Sequence, residues 1–340
     1  MRIGILTGGG DCPGLNAAIR AVVKRGTSEH GCSIVGFRNG WQGVIDGDAR
    51  PLTRDDVSGI LVVGGTMLGT ARCHPHRVEG GMEAVRDTVI NEKLDGLICI
   101  GGDGTLKAAG KVSAATGIPV IGIPKTIDND VVGTDAAIGF DTAVSIATEA
   151  IDRLHSTAES HNRVMVVELM GRHSGWIAVT AGMAGGADII LAPEEPFDID
   201  VIVKKIKHRH RYKNFSIVAV AEGAVPAEGS NWTGAPTIDE NGNPIAGSIG
   251  HEVTKAIEEL TGFPTRLTVL GYVQRGGIPT ASDRLLGTRF GIAAIDAIVA
   301  GETGKYTALQ GEDIVLKDFS VMMGKTKWVP TELLQAAWGL

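Results

Sequence analysis

The chain has 340 residues, 43% of them hydrophobic, and a formal net charge of −7. That length allows roughly two domains of ordinary size, and the acidic balance argues against a nucleic-acid coat, which needs a basic surface. Glycine is the outlier at 48 residues, about twice its usual share of ~7%, clustered as GGG, GGT and GGD with no collagen-like period.

The four cysteines, Cys12, Cys32, Cys73 and Cys99, form no CxxC pair, so disulfides and zinc are not expected and a reducing cytosol is. The first apolar run is too short for a signal peptide. No stretch approaches the ~20 apolar residues of a membrane span. A cytoplasmic protein with neither membrane nor nucleic-acid partner is expected.

In chain order, Ile3–Leu6 reads as a strand, followed by TGGGDCPG and a helix through LNAAIRAVVKRG. Leu97–Ile100 is a second strand, leading into GGDGT and the helix LKAAGKV, and Val120–Ile123 is a third, leading into PKTIDND. The long stretch FDTAVSIATEAIDRLHSTAESHNR is a helix, and VMVVEL, DIILAP, FSIVAVAEG and RLTVLGY are further strands, with the helices HEVTKAIEEL and RLLGTRFGIAAIDAIVAG. Apolar strands alternating with helices predict α/β architecture with mostly parallel sheets covered on both faces. A domain division is expected near Pro124–Gly139. One subdomain takes residues 1–138 and about 255–305, the other 139–254 and the C-terminal end. Ala224–Gly250, rich in Gly, Pro and Asn, reads as a surface insertion or hairpin.

In such sheets ligands sit beyond the carboxyl ends of the strands, where this chain places its polar glycine loops. In ICIGGDGTLKAA, glycines let a ligand approach the backbone and a helix start offers unpaired N–H groups to an anion. Asp103 suits Mg²⁺, which takes carboxylate and phosphate oxygens. The first loop lacks the G-x-G-x-x-G spacing of a dinucleotide site, and no P-loop is present. Arg72 follows a third glycine loop and suits the charge of a transferred phosphoryl group. In GIPKTIDNDVVGTD, an extended backbone would put Thr126, Asp128 and Asp130 on one side. One carboxylate would then complete a metal environment while the other accepts a proton from an attacking hydroxyl. Arg163, Arg172, Arg266 and Arg275 stand around later strand ends, as a phosphorylated substrate would require.

Taken together, LTGGGDCPGLNAAIR, GGTMLGTAR, GGDGT, PKTIDND, MGRHSGW and RGGIPTASDR closely resemble the 6-phosphofructokinase family. The likeness runs from residue 1 to about residue 300, and is greatest to the branch whose members use ATP or pyrophosphate. It implies two Rossmann-like subdomains with the active site in the cleft between them, and Mg²⁺-dependent phosphoryl transfer to O1 of fructose 6-phosphate in glycolysis. By motif, Asp128 would be the base, Asp103 the metal ligand and Asp130 a supporting carboxylate. Gly10, Arg72, Cys73, Gly102, Asp103, Gly104 and Thr105 would hold the donor. Thr126, Ile127 and Asp128 would line the reacting end of the sugar, with Met170, Gly171, Arg172 and Glu222 on its phosphate. Arg163 and Arg266 would reach in from a neighbouring subunit, together with Tyr272, Val273, Gln274 and Arg275, so a homodimer or homotetramer with shared sites is implied. Tyr272 stands where the family usually has histidine.

The donor is marked by two positions. Gly104 is small, as in ATP-using relatives, where an acidic residue would crowd the α-phosphate; Lys125 resembles the pyrophosphate users. Because a lysine on a flexible stem can swing aside and a steric clash cannot, the sequence favours ATP, with pyrophosphate as the alternative. The NAD kinase and diacylglycerol kinase group shares GGDGT alone, and a non-catalytic sensor would not need Asp103, Asp128 and Asp130 together.

Overall fold

A computed structural model describes residues 1–230, 232, 234, 245 and 247–338. In chain order the elements are β1 (Arg2–Gly8), α1 (Leu15–Glu29), β2 (Ser33–Phe37), α2 (Trp41–Asp46), β3 (Ala49–Leu52), α3 (Gly81–Asn91), β4 (Gly96–Gly101), α4 (Asp103–Thr116) and β5 (Val120–Pro124). There follow α5 (Phe140–His161), β6 (Val164–Leu169), α6 (Trp176–Ala184), β7 (Ile189–Leu191), α7 (Ile199–Arg209), β8 (Ser216–Ala221), α8 (Ser248–Thr261) and β9 (Thr265–Val269). The chain closes with α9 (Ala281–Val299), β10 (Lys305–Gln310), β11 (Asp313–Asp318) and α10 (Thr331–Trp338).

The chain divides into two compact units, residues 1–142 with 275–325 and residues 143–274 with 326–340. The return crossing falls at Arg275, later than the sequence expectation of about 255. The reason is that α8 packs on β6 and β9, and β9 pairs with β6 from Val164↔Thr265 to Glu168↔Val269, which holds 248–269 in the second unit. Of the insertion expected at 224–250, residues 231, 233, 235–244 and 246 lie outside the described residues.

The first unit carries a seven-stranded sheet in the order β11-β10-β5-β4-β1-β2-β3. Its centre is parallel, and only the β2–β3 and β10–β11 pairs are antiparallel. β1, β4 and β5 are almost wholly buried, as strands covered on both faces must be. Phe37, Trp41, Leu97, Leu106, Tyr306 and Phe319 build one core, each side chain contributing roughly 1.5–3 kcal/mol on burial. The chain leaves β1 toward β2 on one side and adds β4 and β5 on the other, so the order reverses between β1 and β4. That switch point is where α/β sheets bind ligands.

The second unit is a four-stranded parallel sheet, β7-β8-β6-β9. Val166, Leu191, Phe197, Ile202, Val218 and Ile257 form its core. Among the described residues no helix is long and apolar enough to cross a membrane.

Candidate functional site

In the first unit, the segments just past β1, β4 and β5 meet in one pocket with the loop 71–74. Its lining includes Gly9, Gly10, Asp11, Ala71, Arg72, His74, Gly102–Thr105, Lys125–Asp128 and Arg275. The three strands are hydrogen-bonded neighbours, so their carboxyl ends converge by register: Gly8 pairs with Gly101, and Gly101 with Pro124. Thr105, 4% exposed, fills the space between β1 and β4. A Cβ on Gly8 would lie 2.7 Å from its Oγ1, and one on Gly101 2.4 Å from its Cβ. Only glycine allows that approach.

α4 begins at Asp103 with Gly102 as its N-cap and no side-chain cap. Its first N–H groups therefore face the pocket as an anion site. Lys125 is 3% exposed, and its ammonium donates to the Gly10 carbonyl. Burial, more than any neighbour, holds its pKa below the usual lysine value. Arg275 approaches from the other side, and a Cβ on Gly10 would lie 2.6 Å from one of its Nη atoms.

The segment after β5 is a turn, not an extended strand. Asn129 takes φ 50°, and its buried amide ties the loop by accepting from the Ala137 N–H at 3.1 Å and donating to the Asp135 carbonyl at 3.3 Å. The expected alternation is thereby broken. Thr126, Ile127 and Asp128 line the pocket, whereas Asp130 is not among the lining residues. The Asp128 N–H donates to Thr126 Oγ1 at 3.1 Å, which fixes the turn that carries the carboxylate. Behind it, the Thr126 N–H donates to the Ile138 carbonyl and the Ile138 N–H to the Pro124 carbonyl, at 3.1 and 3.2 Å.

Other sequence expectations are also redistributed. Cys73 does not line the pocket; its side chain packs against the first unit's core, and burial raises its thiol pKa. Its neighbour His74 lines the pocket instead. Arg275, expected with the Tyr272 segment on the sugar phosphate, stands in the pocket with Gly10, Gly102–Thr105 and Arg72. Asp11 and His74 are lining residues that sequence reasoning missed. Asp11 directly follows the first glycine cluster and was legible by position, but nothing in the local pattern marks His74.

In the second unit, Met170, Gly171 and Arg172 follow β6 and Glu222 follows β8, its hydrogen-bonded neighbour. The Glu222 N–H donates to the Leu169 carbonyl at 2.8 Å. Arg172 Nε lies 3.5 Å from Glu222 Oε1, so the cation and a carboxylate 5% exposed are brought together. Gln274 is fully buried and accepts from the Met170 N–H at 3.3 Å, a structural role. Tyr272 and Val273 beside it are exposed. Arg163 and Arg266 sit at the opposite, amino ends of β6 and β9. Arg163 is seven residues before Met170, roughly 23 Å along a strand, and Arg266 donates to the Glu258 carboxylate at 3.4 Å and the Thr265 carbonyl at 2.7 Å. These two arginines cannot join Arg172 and Glu222 of the same chain.

Among the described residues no three His, Cys, Asp or Glu side chains converge to cage a metal. Asp11, Asp103 and Asp128 nonetheless line the same pocket as three cationic side chains and a helix start. Mg²⁺ is commonly held by one or two carboxylates with substrate phosphates and water, so this donor set fits a metal that arrives with a phosphorylated ligand. Asp103 pairs with Lys107 at 2.6 Å one turn along α4.

The phosphofructokinase family profile matches residues 2–298. The pyrophosphate–fructose 6-phosphate 1-phosphotransferase of Amycolatopsis methanolica is 52% identical over 337 residues, covering 99% of this chain and 98% of its own. The ATP-dependent 6-phosphofructokinase of Corynebacterium efficiens is 49% identical over 334 residues, covering 98% and 96%. Among solved structures, Pichia pastoris phosphofructokinase in the T-state matches with a TM-score of 0.83 at 35% identity, over 94% of this chain and 35% of that longer one. The phosphate-type loops at the sheet's switch point and the end-to-end likeness agree: the chain belongs to the phosphofructokinase family and is a phosphotransferase.

Proposed function

We propose that the chain is a pyrophosphate-dependent 6-phosphofructokinase, which transfers a phosphoryl group from pyrophosphate to O1 of fructose 6-phosphate and releases orthophosphate. Lys125 carries the choice of donor. Its ammonium is enclosed inside the pocket, against the Gly10 carbonyl and beside the start of α4. A buried cation there suits a compact, highly charged donor, and a charge-assisted contact to phosphate is about twice as strong as a neutral one.

This departs from the ATP donor that the sequence favoured, for two physical reasons. Lys125 is packed along its stem, so it cannot swing aside. The room that glycine leaves at position 104 is bordered by the His74 imidazole, since a Cβ there would lie 2.9 Å from His74 Cε1. Relatives named for pyrophosphate at 52% and 51% identity support the same reading. ATP remains the second reading, favoured by the absence of a carboxylate at 104 and by the Corynebacterium efficiens relative.

In this account Asp128 accepts the proton from the O1 hydroxyl as O1 bonds to phosphorus and the bridging P–O bond breaks. A positioned base of this kind contributes about 10²–10⁴-fold. Arg72, Lys125, Arg275 and the N–H groups that open α4 bind the donor and balance charge that grows on its oxygens. Asp103, with Asp11, would hold Mg²⁺, which when bound neutralises the donor's phosphates. Met170, Gly171, Arg172 and Glu222 are assigned to the sugar phosphate. Arg163 and Arg266, being at the wrong strand ends for their own chain, are assigned with Tyr272 to the site of a second copy, which makes the active form a homo-oligomer.

The test is turnover of fructose 6-phosphate by the purified protein with Mg²⁺ and either pyrophosphate or ATP. Faster turnover with pyrophosphate is expected. Turnover with ATP alone would overturn the donor assignment, and none with either would overturn the function.

A further inference from the structure

The wall of the donor pocket contains one side chain to which nothing above gives a chemical task, His74. It comes from the loop 71–74, which precedes the short turn Pro75–Arg77. Its own carbonyl accepts the Arg77 N–H at 2.9 Å, so the backbone that presents it is tied down. The imidazole reaches the first turn of α4. An ideal Cβ on Gly104 would lie 2.9 Å from its Cε1 and 3.4 Å from its Nε2, and real Cβ atoms do not approach that closely. The ring therefore occupies the volume that the missing side chain at 104 vacates. Its Nδ1 is buried with no hydrogen-bond partner among the described residues, and the ring lies tilted against His76 with centroids 5.9 Å apart. Burial, then the Arg77 charge, lowers its pKa and keeps it neutral.

We propose that His74 determines donor specificity by limiting the donor's length: its imidazole closes the pocket beside Gly104, so that an inorganic diphosphate fits and a nucleoside triphosphate must displace the ring. This inference rests on the pyrophosphate reading and adds the residue that enforces it. A glycine at 104 is necessary for the longer donor but not sufficient, because a second residue has taken up the space.

The test uses the full-length enzyme and the variants His74→Ala, which opens the wall, and His74→Gln, which keeps most of its bulk. For each, kcat/KM is measured with pyrophosphate and with ATP at saturating fructose 6-phosphate, and the affinity for a non-hydrolysable ATP analogue is measured by calorimetry. His74→Ala should raise the ATP-to-pyrophosphate ratio of kcat/KM by at least about tenfold, the scale on which a pocket discriminates by bulk. It should tighten the analogue, while His74→Gln stays near the wild type. Wild-type use of pyrophosphate with an unchanged ratio in His74→Ala would overturn the inference and leave the donor reading standing. Wild-type use of ATP alone would overturn both. The analogue titration reads the wall even in a variant that has lost turnover, and unchanged affinity there counts against the proposal.

Discussion

Replacing Asp283 with alanine perturbs the loop that carries Asp128 without touching the pocket. The carboxylate, 1% exposed, accepts from the Gly139 N–H and the Thr142 N–H at 2.8 Å each and from the Thr142 hydroxyl at 2.6 Å. Alanine would leave two buried backbone donors without an acceptor, at about 1–3 kcal/mol each. The hydroxyl has a second neighbour in Thr280 Oγ1 at 3.5 Å. Part of the loss is offset because the carboxylate is itself costly to bury, as its raised pKa shows. The balance is about 3 kcal/mol, which for a unit of this size lowers Tm by roughly 6–12 °C. Gly139 adjoins Ile138, whose carbonyl accepts the Thr126 N–H, so a slackened 137–139 segment also loosens the turn that aims Asp128. Thermal unfolding and steady-state kinetics on Asp283→Ala and Asp283→Asn provide the assay. The asparagine, which keeps one acceptor oxygen, should lose about half as much stability, and kcat should fall more than the KM for either substrate rises. A loss below about 1 kcal/mol for the alanine would refute the claim that this carboxylate clamps the loop.

Gly104→Asp places a Cβ 2.9 Å from His74 Cε1 and adds a negative charge beside the donor, so kcat/KM with ATP should fall at least about tenfold more than with pyrophosphate; equal losses would remove position 104 from the donor question. Lys125→Met should cost about 10–150-fold in kcat/KM with pyrophosphate, the worth of a charged hydrogen bond, and a change under threefold would contradict its role. Burial lowers the Lys125 pKa from the usual 10.5, so its charge is lost as pH rises through that lowered value. The wild-type KM for pyrophosphate should climb on the alkaline side, and Lys125→Met should lack that limb. Cys12 is fully buried with its thiol pushed up from 9.0 to about 12, which cuts the thiolate population about 10³-fold at pH 8. A thiol-disulfide probe should reach partly exposed Cys73 first and Cys12 only on unfolding, and rapid labelling of Cys12 in the folded protein would show that its cover opens.

The central strands were legible in the sequence because they are buried on both faces and so read as apolar runs: IGIL, LICI and VIGI each became a strand of the first unit. The hairpin β10–β11 was not, because KYTALQ and DIVLKD at the sheet's edge mix polar and apolar residues. The glycine loops announced the pocket, and Asp103, Thr105 and Asp128 are among its lining residues. The alternation expected through Thr126, Asp128 and Asp130 failed because the segment turns: Ile127 lines the pocket beside Thr126 and Asp128, and the left-handed backbone of Asn129 redirects the chain. Cys73 and His74 are adjacent in sequence, yet the backbone sends the first against the core and the second into the pocket, and no periodicity encodes that choice. Burial of Lys125 depends on the register of β4 against β1 and β5, which is a tertiary fact. For that reason a lysine that looked free to move stands as the strongest mark on the donor.

The central claim is that Asp128, held in the pocket by the Thr126 turn, takes the proton from the sugar hydroxyl during transfer. It is tested most directly by kcat of Asp128→Asn with fructose 6-phosphate and pyrophosphate both saturating. The account predicts a fall of at least about 10²-fold with both KM values within a few-fold of the wild type. An unchanged kcat with a raised KM would contradict it and make Asp128 a binding residue.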